Sequence, residues 1–295
     1  MTDFEIKIAD TAEEIEKELE GLYGEQNGPI GRLFQAEKYS LLAGGKRIRP
    51  FITLQVCEAL GGDRKAAMPF AAALEMIHTY SLIHDDLPCM DDDDMRRGRP
   101  TNHKVYGYAT ALLAGDALLT RAFLTASNNA YVSAETAREA VKLMAEAAGD
   151  EGMIGGQTID LDGEKRRLDF DELLTLHKLK TGALIKCAAL LGALAAGYGR
   201  DSREAKEATA YAEGIGLAFQ VVDDILDATA TAEALGKSVG GDAERNKTTF
   251  LTYYSAEGAW EYAREITEKS VKSIEAWESP QVLRDLAYYL LDRKK

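Results

Sequence analysis

Leu217-Ala218-Phe219-Gln220-Val221-Val222-Asp223-Asp224-Ile225-Leu226-Asp227 is an apolar run that closes on aspartates. Read as a helix, it sets Asp223 and Asp227 one turn apart on the same face. Like charges at that spacing repel by roughly a few tenths of a kcal/mol, and by more where they are partly buried. Such a face calls for a counter-charge, and divalent cations with oxygen ligands supply it. The helical reading rests on what surrounds the run. None of the 6 prolines falls between Thr101 and Ser279, which leaves room for a series of long helices. Start signals recur at Thr11 with Glu14, Asp169 with Glu172 and Asp201 with Glu204, with Ser133 and Ser255 as further caps. Gly44-Gly45, Gly61-Gly62, Gly149, Gly197 to Gly199 and Gly240-Gly241 read as stops. Alternating β-branched runs are nearly absent. The expectation is one all-α domain over residues 1–295, a bundle of roughly ten or more helices. Ala109 to Ala126 is apolar around much of its circumference, so it belongs at the centre or at a subunit interface.

The formal net charge of -14 argues against nucleic acid, which needs a basic face. An anionic substrate would have to reach this chain through a bridging metal ion. Cys57, Cys89 and Cys187 show no paired metal-ligand spacing and make poor material for a disulfide framework. The acidic start, with Asp3, Glu5, Asp10, Glu13 and Glu14, does not read as a targeting segment. The apolar stretch Cys187 to Tyr198 is too short to span a bilayer. A soluble, cytoplasmic protein with no stable membrane insertion is expected.

Another aspartate cluster lies upstream and is the first in chain order. His84-Asp85-Asp86-Leu87-Pro88-Cys89-Met90-Asp91-Asp92-Asp93-Asp94 follows another apolar helix, Phe70 to Ile83. Pro88 breaks that helix, so Asp91 can fold back toward Asp85 and Asp86. Alone, the Asp91 to Asp94 tetrad reads as a solvated acidic turn. Two clusters, each ending an apolar helix, point to metal. Arg96, Arg97 and Arg99 follow the first cluster, and Gly44-Gly45-Lys46-Arg47-Ile48-Arg49-Pro50 precedes it. Arginine forks and lysine ammoniums suit phosphate oxygens. Acidic metal sites and basic clamps in one chain suggest a diphosphate held through magnesium.

With Gly155-Gly156-Gln157, Lys180-Thr181-Gly182, Phe219-Gln220, Gly236-Lys237 and Asn246-Lys247-Thr248-Thr249 added, the chain resembles the trans-prenyl-diphosphate synthases of the farnesyl and geranylgeranyl type, from about Leu33 through Tyr254. The resemblance implies an all-α bundle around a central cavity, a homodimer, and about three magnesium ions between the two aspartate motifs. It makes Asp85, Asp91 and Asp223 direct metal ligands, with Asp86, Asp224 and Asp227 acting through water or behind them. It assigns Arg96, Lys180 and Lys237 to the allylic diphosphate, and Lys46, Arg49, His78 and Arg97 to isopentenyl diphosphate. Thr181 and Gln220 fall beside the developing carbocation, and the basic tail Arg293 to Lys295 folds over the filled site. On residue type alone, His78 could equally be a core histidine, and Thr181-Gly182 a helix kink. His84 and His177 read as structural, and Gly152 with Gly156 as a close helix contact. Tyr80 and Ser81, one turn or so before Asp85, are the candidates for setting product length. An aromatic there resembles the bacterial farnesyl pattern; geranylgeranyl synthesis is the alternative. A terpene cyclase would mix Asn, Ser or Thr with Glu in its second motif, and a non-catalytic partner subunit would lack some carboxylates.

Overall fold

The computed structural model describes residues 2–24, 28–233 and 247–293. Helices make up nearly all of it: α1 (Asp3–Gly21), α2 (Gly31–Leu41), α3 (Ile48–Ala59), α4 (Arg64–Asp85), α5 (Asn102–Tyr106), α6 (Tyr108–Ser127), α7 (Ala134–Ala148), α8 (Met153–Gly163), α9 (Phe170–His177), α10 (Ala183–Ala195), α11 (Arg203–Glu233), α12 (Ala256–Ser273) and α13 (Gln281–Leu291). A π-helical turn, Lys178–Gly182, joins α9 to α10, and a 3-10 turn, Phe250–Thr252, precedes α12. The all-α expectation holds. One small exception follows the first aspartate cluster, where β1 (Met95–Arg96) pairs antiparallel with β2 (Arg99–Pro100). Arg97 and Gly98, at φ 51° and 74°, turn that hairpin in the left-handed region that tight hairpins favour.

Asp169 and Glu172 form the capping box read from the sequence, and Ser133 and Ser255 cap α7 and α12. Two start signals fall elsewhere. α1 begins at a Thr2–Glu5 capping box and runs through Thr11, because Ile8, Ile15 and Leu19 continue one buried stripe across that position. α11 begins after Ser202, whose hydroxyl accepts the Ala205 N–H, rather than after Asp201. The Gly240-Gly241 stop lies outside the described residues.

α10 is central and packs on α3, α4, α7 and α11, while α4 lies along α6 and α11 along α12. Phe51, Ile52, Phe70, Leu74, Ile77, Leu184, Leu191 and Tyr211 fill the main core. A second apolar cluster, with Val221, Val222, Ile225 and Phe250, fixes α11 under the 247–252 segment. α6 turns Ala111, Ala114, Gly115, Leu118 and Ala122 inward and leaves Leu112, Leu113 and Leu124 exposed. By length and composition alone, α6 is the one described helix that would suffice to cross a membrane.

One ion-pair network ties the N-terminal helices together. Arg47 is fully buried and reaches Glu75 at 2.7 Å and Glu16 at 3.0 Å. It also donates to the Leu41 carbonyl at 2.7 Å. Its own backbone is left-handed, at φ 48°, a conformation that costs a non-glycine residue about 1 kcal/mol or more. Its neighbours must therefore hold it, and this basic residue of the Gly44–Pro50 stretch is structural. Removing one partner of a buried pair strands the other charge. Arg47→Met should lower unfolding free energy by about 3–5 kcal/mol in urea titration. Adding Glu75→Leu should recover much of that loss; a single-variant loss below about 1 kcal/mol would contradict the assignment.

Candidate active site

α4 ends at Asp85, and the Asp91 N–H folds back to donate to the Asp85 carbonyl at 2.8 Å. Burial pushes the Asp85 carboxyl up to about 6; Lys180 pulls it down, and Asp91 and Asp86 push it further up. Asp86 is buried and clasped by Arg96, whose Nε donates to both carboxylate oxygens at 2.7 and 2.9 Å. Asp86 and Arg96, placed on metal and diphosphate by the resemblance, thus hold each other. The outer part of the tetrad is solvated: Asp92 is exposed, and exposed Asp94 pairs with Lys104 at 2.6 Å.

α11 brings the second cluster. Asp223 accepts from Arg293, whose guanidinium also donates to the Phe219 carbonyl and lies 3.9 Å over the Phe219 ring. The first residue of the basic tail is therefore already on the second aspartate motif; Lys294 and Lys295 lie outside the described residues. Gln220 Nε2 is 3.4 Å from the other Asp223 oxygen. Asp224 is buried and accepts the Phe250 N–H at 2.7 Å, which anchors the 247–252 segment. Asp227 is exposed on the same helix. His177 is a core residue: it stacks on Phe250, and burial lowers its imidazole to about 4.

The π-helical turn sets Lys180 between these walls. Single π turns inside helices recur at functional sites because the widened turn re-aims its side chains. Here Gly156 of α8 lies so close that a Cβ would stand 2.2 Å from the Lys180 nitrogen. That is the close contact read from Gly156; Gly152 instead abuts the Ala147 carbonyl at the start of α8. Thr181 follows in the same turn. Lys180 Nζ donates to Asp160 Oδ2 at 2.6 Å, and Lys247 Nζ reaches the same oxygen at 2.9 Å. The sequence marks Asp160 only as an aspartate between Ile159 and Leu161, one turn after Gly156, and Lys247 only as part of the Asn246-Lys247-Thr248-Thr249 motif. Lys237 lies outside the described residues.

A second cationic zone surrounds His78. Burial drives the His78 imidazole well below its ordinary range, and Arg49, Arg97, Arg96 and Arg47 push it further. Burial lowers Arg49 to about 10, and its Nε has no hydrogen-bond partner. Arg97 donates to the Gly44 carbonyl, and a Cβ on Gly45 (φ 121°) would meet its guanidinium at 2.9 Å. Lys46 is exposed, 5.1 Å over the Tyr289 ring of α13. Of the sequence-named group, Arg49, Arg97 and His78 come together, with Glu75 as the acidic neighbour of both arginines, while Lys46 stands apart on Tyr289.

Below Asp85, Tyr80 is buried with its hydroxyl unpartnered, and its ring meets His84 edge-on at 5.7 Å. Ser81 donates to the His78 carbonyl at 2.9 Å. A cavity of about 710 Å³ lies between α7, α10 and α11 and is lined by none of these residues. The charged side chains, not that hollow, mark the site.

Among the described residues, no three acidic, imidazole or thiol side chains converge as a metal cage. Magnesium takes one or two carboxylates with waters and substrate phosphates completing its shell, and Asp85, Asp91 and Asp223 are hard oxygen donors of that type, so the donor set fits.

A helical bundle with two aspartate-rich helix segments and flanking cation groups is the layout of the isoprenoid-synthase fold. A family model described as polyprenyl synthetase matches residues 31–286. A farnesyl diphosphate synthase of Bacillus subtilis (strain 168) is 44% identical over 287 residues, 97% of this chain and 95% of that protein. An FPP/GFPP synthase from Zymomonas mobilis superposes with a TM-score of 0.88 at 34% identity, over 98% of this chain and 99% of that one. A geranyltransferase from Helicobacter pylori, solved with magnesium and isoprenyl diphosphate, gives 0.82 at 32% identity, over 99% and 97%. The chain belongs to the polyprenyl synthetase family.

Proposed function

We propose that this protein is a magnesium-dependent prenyltransferase. It condenses isopentenyl diphosphate head to tail with dimethylallyl and geranyl diphosphates, and it stops at farnesyl diphosphate. The observation that carries the reading is the division of cations into two groups. Arg49, Arg97 and neutral His78 form one; Lys180 and Lys247 form the other, with Asp85 near Lys180. Two anionic substrates need two such groups. The matching relative from Bacillus subtilis carries the farnesyl name.

Asp85, Asp91 and Asp223 would hold magnesium, with Asp86, Asp224 and Asp227 behind them. Bound there, magnesium supplies Lewis-acid neutralisation of the departing diphosphate. Lys180 and Lys247 add fixed positive charge at the same end, with Lys237 expected to join them. The His78 group holds isopentenyl diphosphate with its double bond toward the allylic carbon. Thr181 and Gln220 turn hydroxyl and amide dipoles on the cation that forms when the allylic C–O bond breaks. The double bond attacks, a proton leaves, and the released diphosphate can accept it. The exposed Leu112, Leu113 and Leu124 of α6 support a homodimer.

Steady-state kinetics with isopentenyl and geranyl diphosphates test the reading. Arg49→Ala should raise the Michaelis constant for isopentenyl diphosphate by about tenfold or more and leave that for geranyl diphosphate within about threefold. Lys180→Ala should do the reverse. Equal effects of both variants on both substrates would sink the division.

A further inference from the structure

We propose that Asp160 is a positioning residue, which holds the Lys180 and Lys247 ammoniums side by side so that they act as one fork on a diphosphate. The inference rests on the prenyltransferase reading of the site. Both ammoniums share a single carboxylate oxygen, Oδ2, at 2.6 and 2.9 Å. Two like charges that close repel strongly where water is scarce. The Asp160 side chain is only 10% exposed and that of Lys247 14%, with Lys180 more open at 28%, and the shared carboxylate is the anion that holds the pair together. The carboxylate stays ionised: burial pushes it up, but Lys180 and Lys247 outweigh burial and hold it below the ordinary aspartate range.

Each ammonium has three protons, so one bond to Asp160 leaves others for phosphate oxygens. Lys247 also reaches Glu164 at 3.7 Å, so the two lysines are held by carboxylates on the α8 side and turn as one unit. Asp160 repels a diphosphate directly, so its contribution runs through the lysines. α8 fixes Lys180 at both ends: Gly156 abuts its backbone, and Asp160, one turn on, takes its Nζ. A plain structural staple is the competing account, in which Asp160 merely ties the 247–252 segment to α8. That segment has other anchors, since Asp224 takes the Phe250 N–H and Thr248 Oγ1 takes the Leu168 N–H at 3.1 Å.

The test compares full-length native protein, Asp160→Asn and Asp160→Glu. Binding of inorganic diphosphate with magnesium is measured by calorimetry, and Michaelis constants for both substrates are taken. Acylation of Lys180 and Lys247 by acetic anhydride is read by peptide mass spectrometry. Asp160→Asn should weaken diphosphate by about tenfold or more, raise the geranyl diphosphate constant similarly, and leave that for isopentenyl diphosphate within about twofold. Both lysines should acylate several-fold faster, because the amide no longer ties their Nζ atoms down as the carboxylate does. Asp160→Glu, which keeps the charge but moves it by a methylene, should fall between native and Asn. Diphosphate binding by Asp160→Asn that equals or exceeds native, or unchanged lysine acylation, would overturn the proposal. If Asp160→Asn does not fold, Asp160→Glu decides: native-like diphosphate affinity overturns, and a loss confined to the allylic side supports. Failure of the native protein to bind magnesium diphosphate would instead overturn the reading of the site itself.

Discussion

Asp85→Asn should lower turnover by at least about a hundredfold, some 2.7 kcal/mol of barrier, while making the metal-free protein more resistant to urea. The two effects come from one displacement. Burial raises the Asp85 carboxyl from 3.8 to about 6. The folded chain therefore binds that proton more tightly than the unfolded chain does. The stability this gives is complete below about pH 4 and is lost as pH rises to about 6. At neutral pH the ionised carboxylate is a cost, which asparagine does not carry. A metal ligand must be ionised, so magnesium binding below about pH 6 has to expel a proton. Calorimetry with magnesium and inorganic diphosphate should show, below about pH 6, a proton release in the native protein larger than that of Asp85→Asn, the diphosphate's own release being common to both. Full turnover in excess chelator, or in Asp85→Asn, would falsify the metal-site reading. A variant both inactive and less stable would mark Asp85 as a structural residue instead.

The parts of this site that the sequence made legible are those fixed by local chemistry. Pro88 makes the chain turn back, and the Asp91 N–H meets the Asp85 carbonyl as that break requires. Asp169 and Glu172 cap α9 because both halves of the box lie in one turn. The same pattern at Thr11 and Glu14 misleads, since the buried stripe of α1 passes straight through it. Which basic residue of Gly44–Pro50 faces inward depends on the left-handed turn at Arg47, which no residue type announces. That turn buries Arg47 against Glu75 and leaves Lys46 outside. Asp160 was hidden for a different reason. Its meaning comes from Lys180 and Lys247, 20 and 87 residues away, and lone aspartates in helices are common. The Asp86–Arg96 clasp likewise needs the β1–β2 hairpin, whose short strands carry no alternation to detect.

Tyr80→Ala should shift the product from fifteen carbons toward twenty or longer, whereas Tyr80→Phe should leave it at fifteen. On the proposed reading, a growing prenyl chain would run from the aspartate end along α4. One helical turn rises 5.4 Å, about the length of one isoprene unit. Tyr80, five residues before Asp85, therefore stands roughly one unit below the first carboxylate. Its ring is buried and braced edge-on by His84, which bonds the Leu112 carbonyl at 3.0 Å and sits where a side chain on Gly115 would clash. A ring supported in this way does not swing aside for a longer chain. Its hydroxyl has no hydrogen-bond partner, so bulk rather than bonding would set the stop, and phenylalanine should replace it without effect. Ser81 spends its hydroxyl on the His78 carbonyl and adds little bulk beside it. Product analysis with isopentenyl and geranyl diphosphates decides between the readings. A native product of twenty carbons, or a Tyr80→Ala product unchanged in length, would return Tyr80 to ordinary core packing.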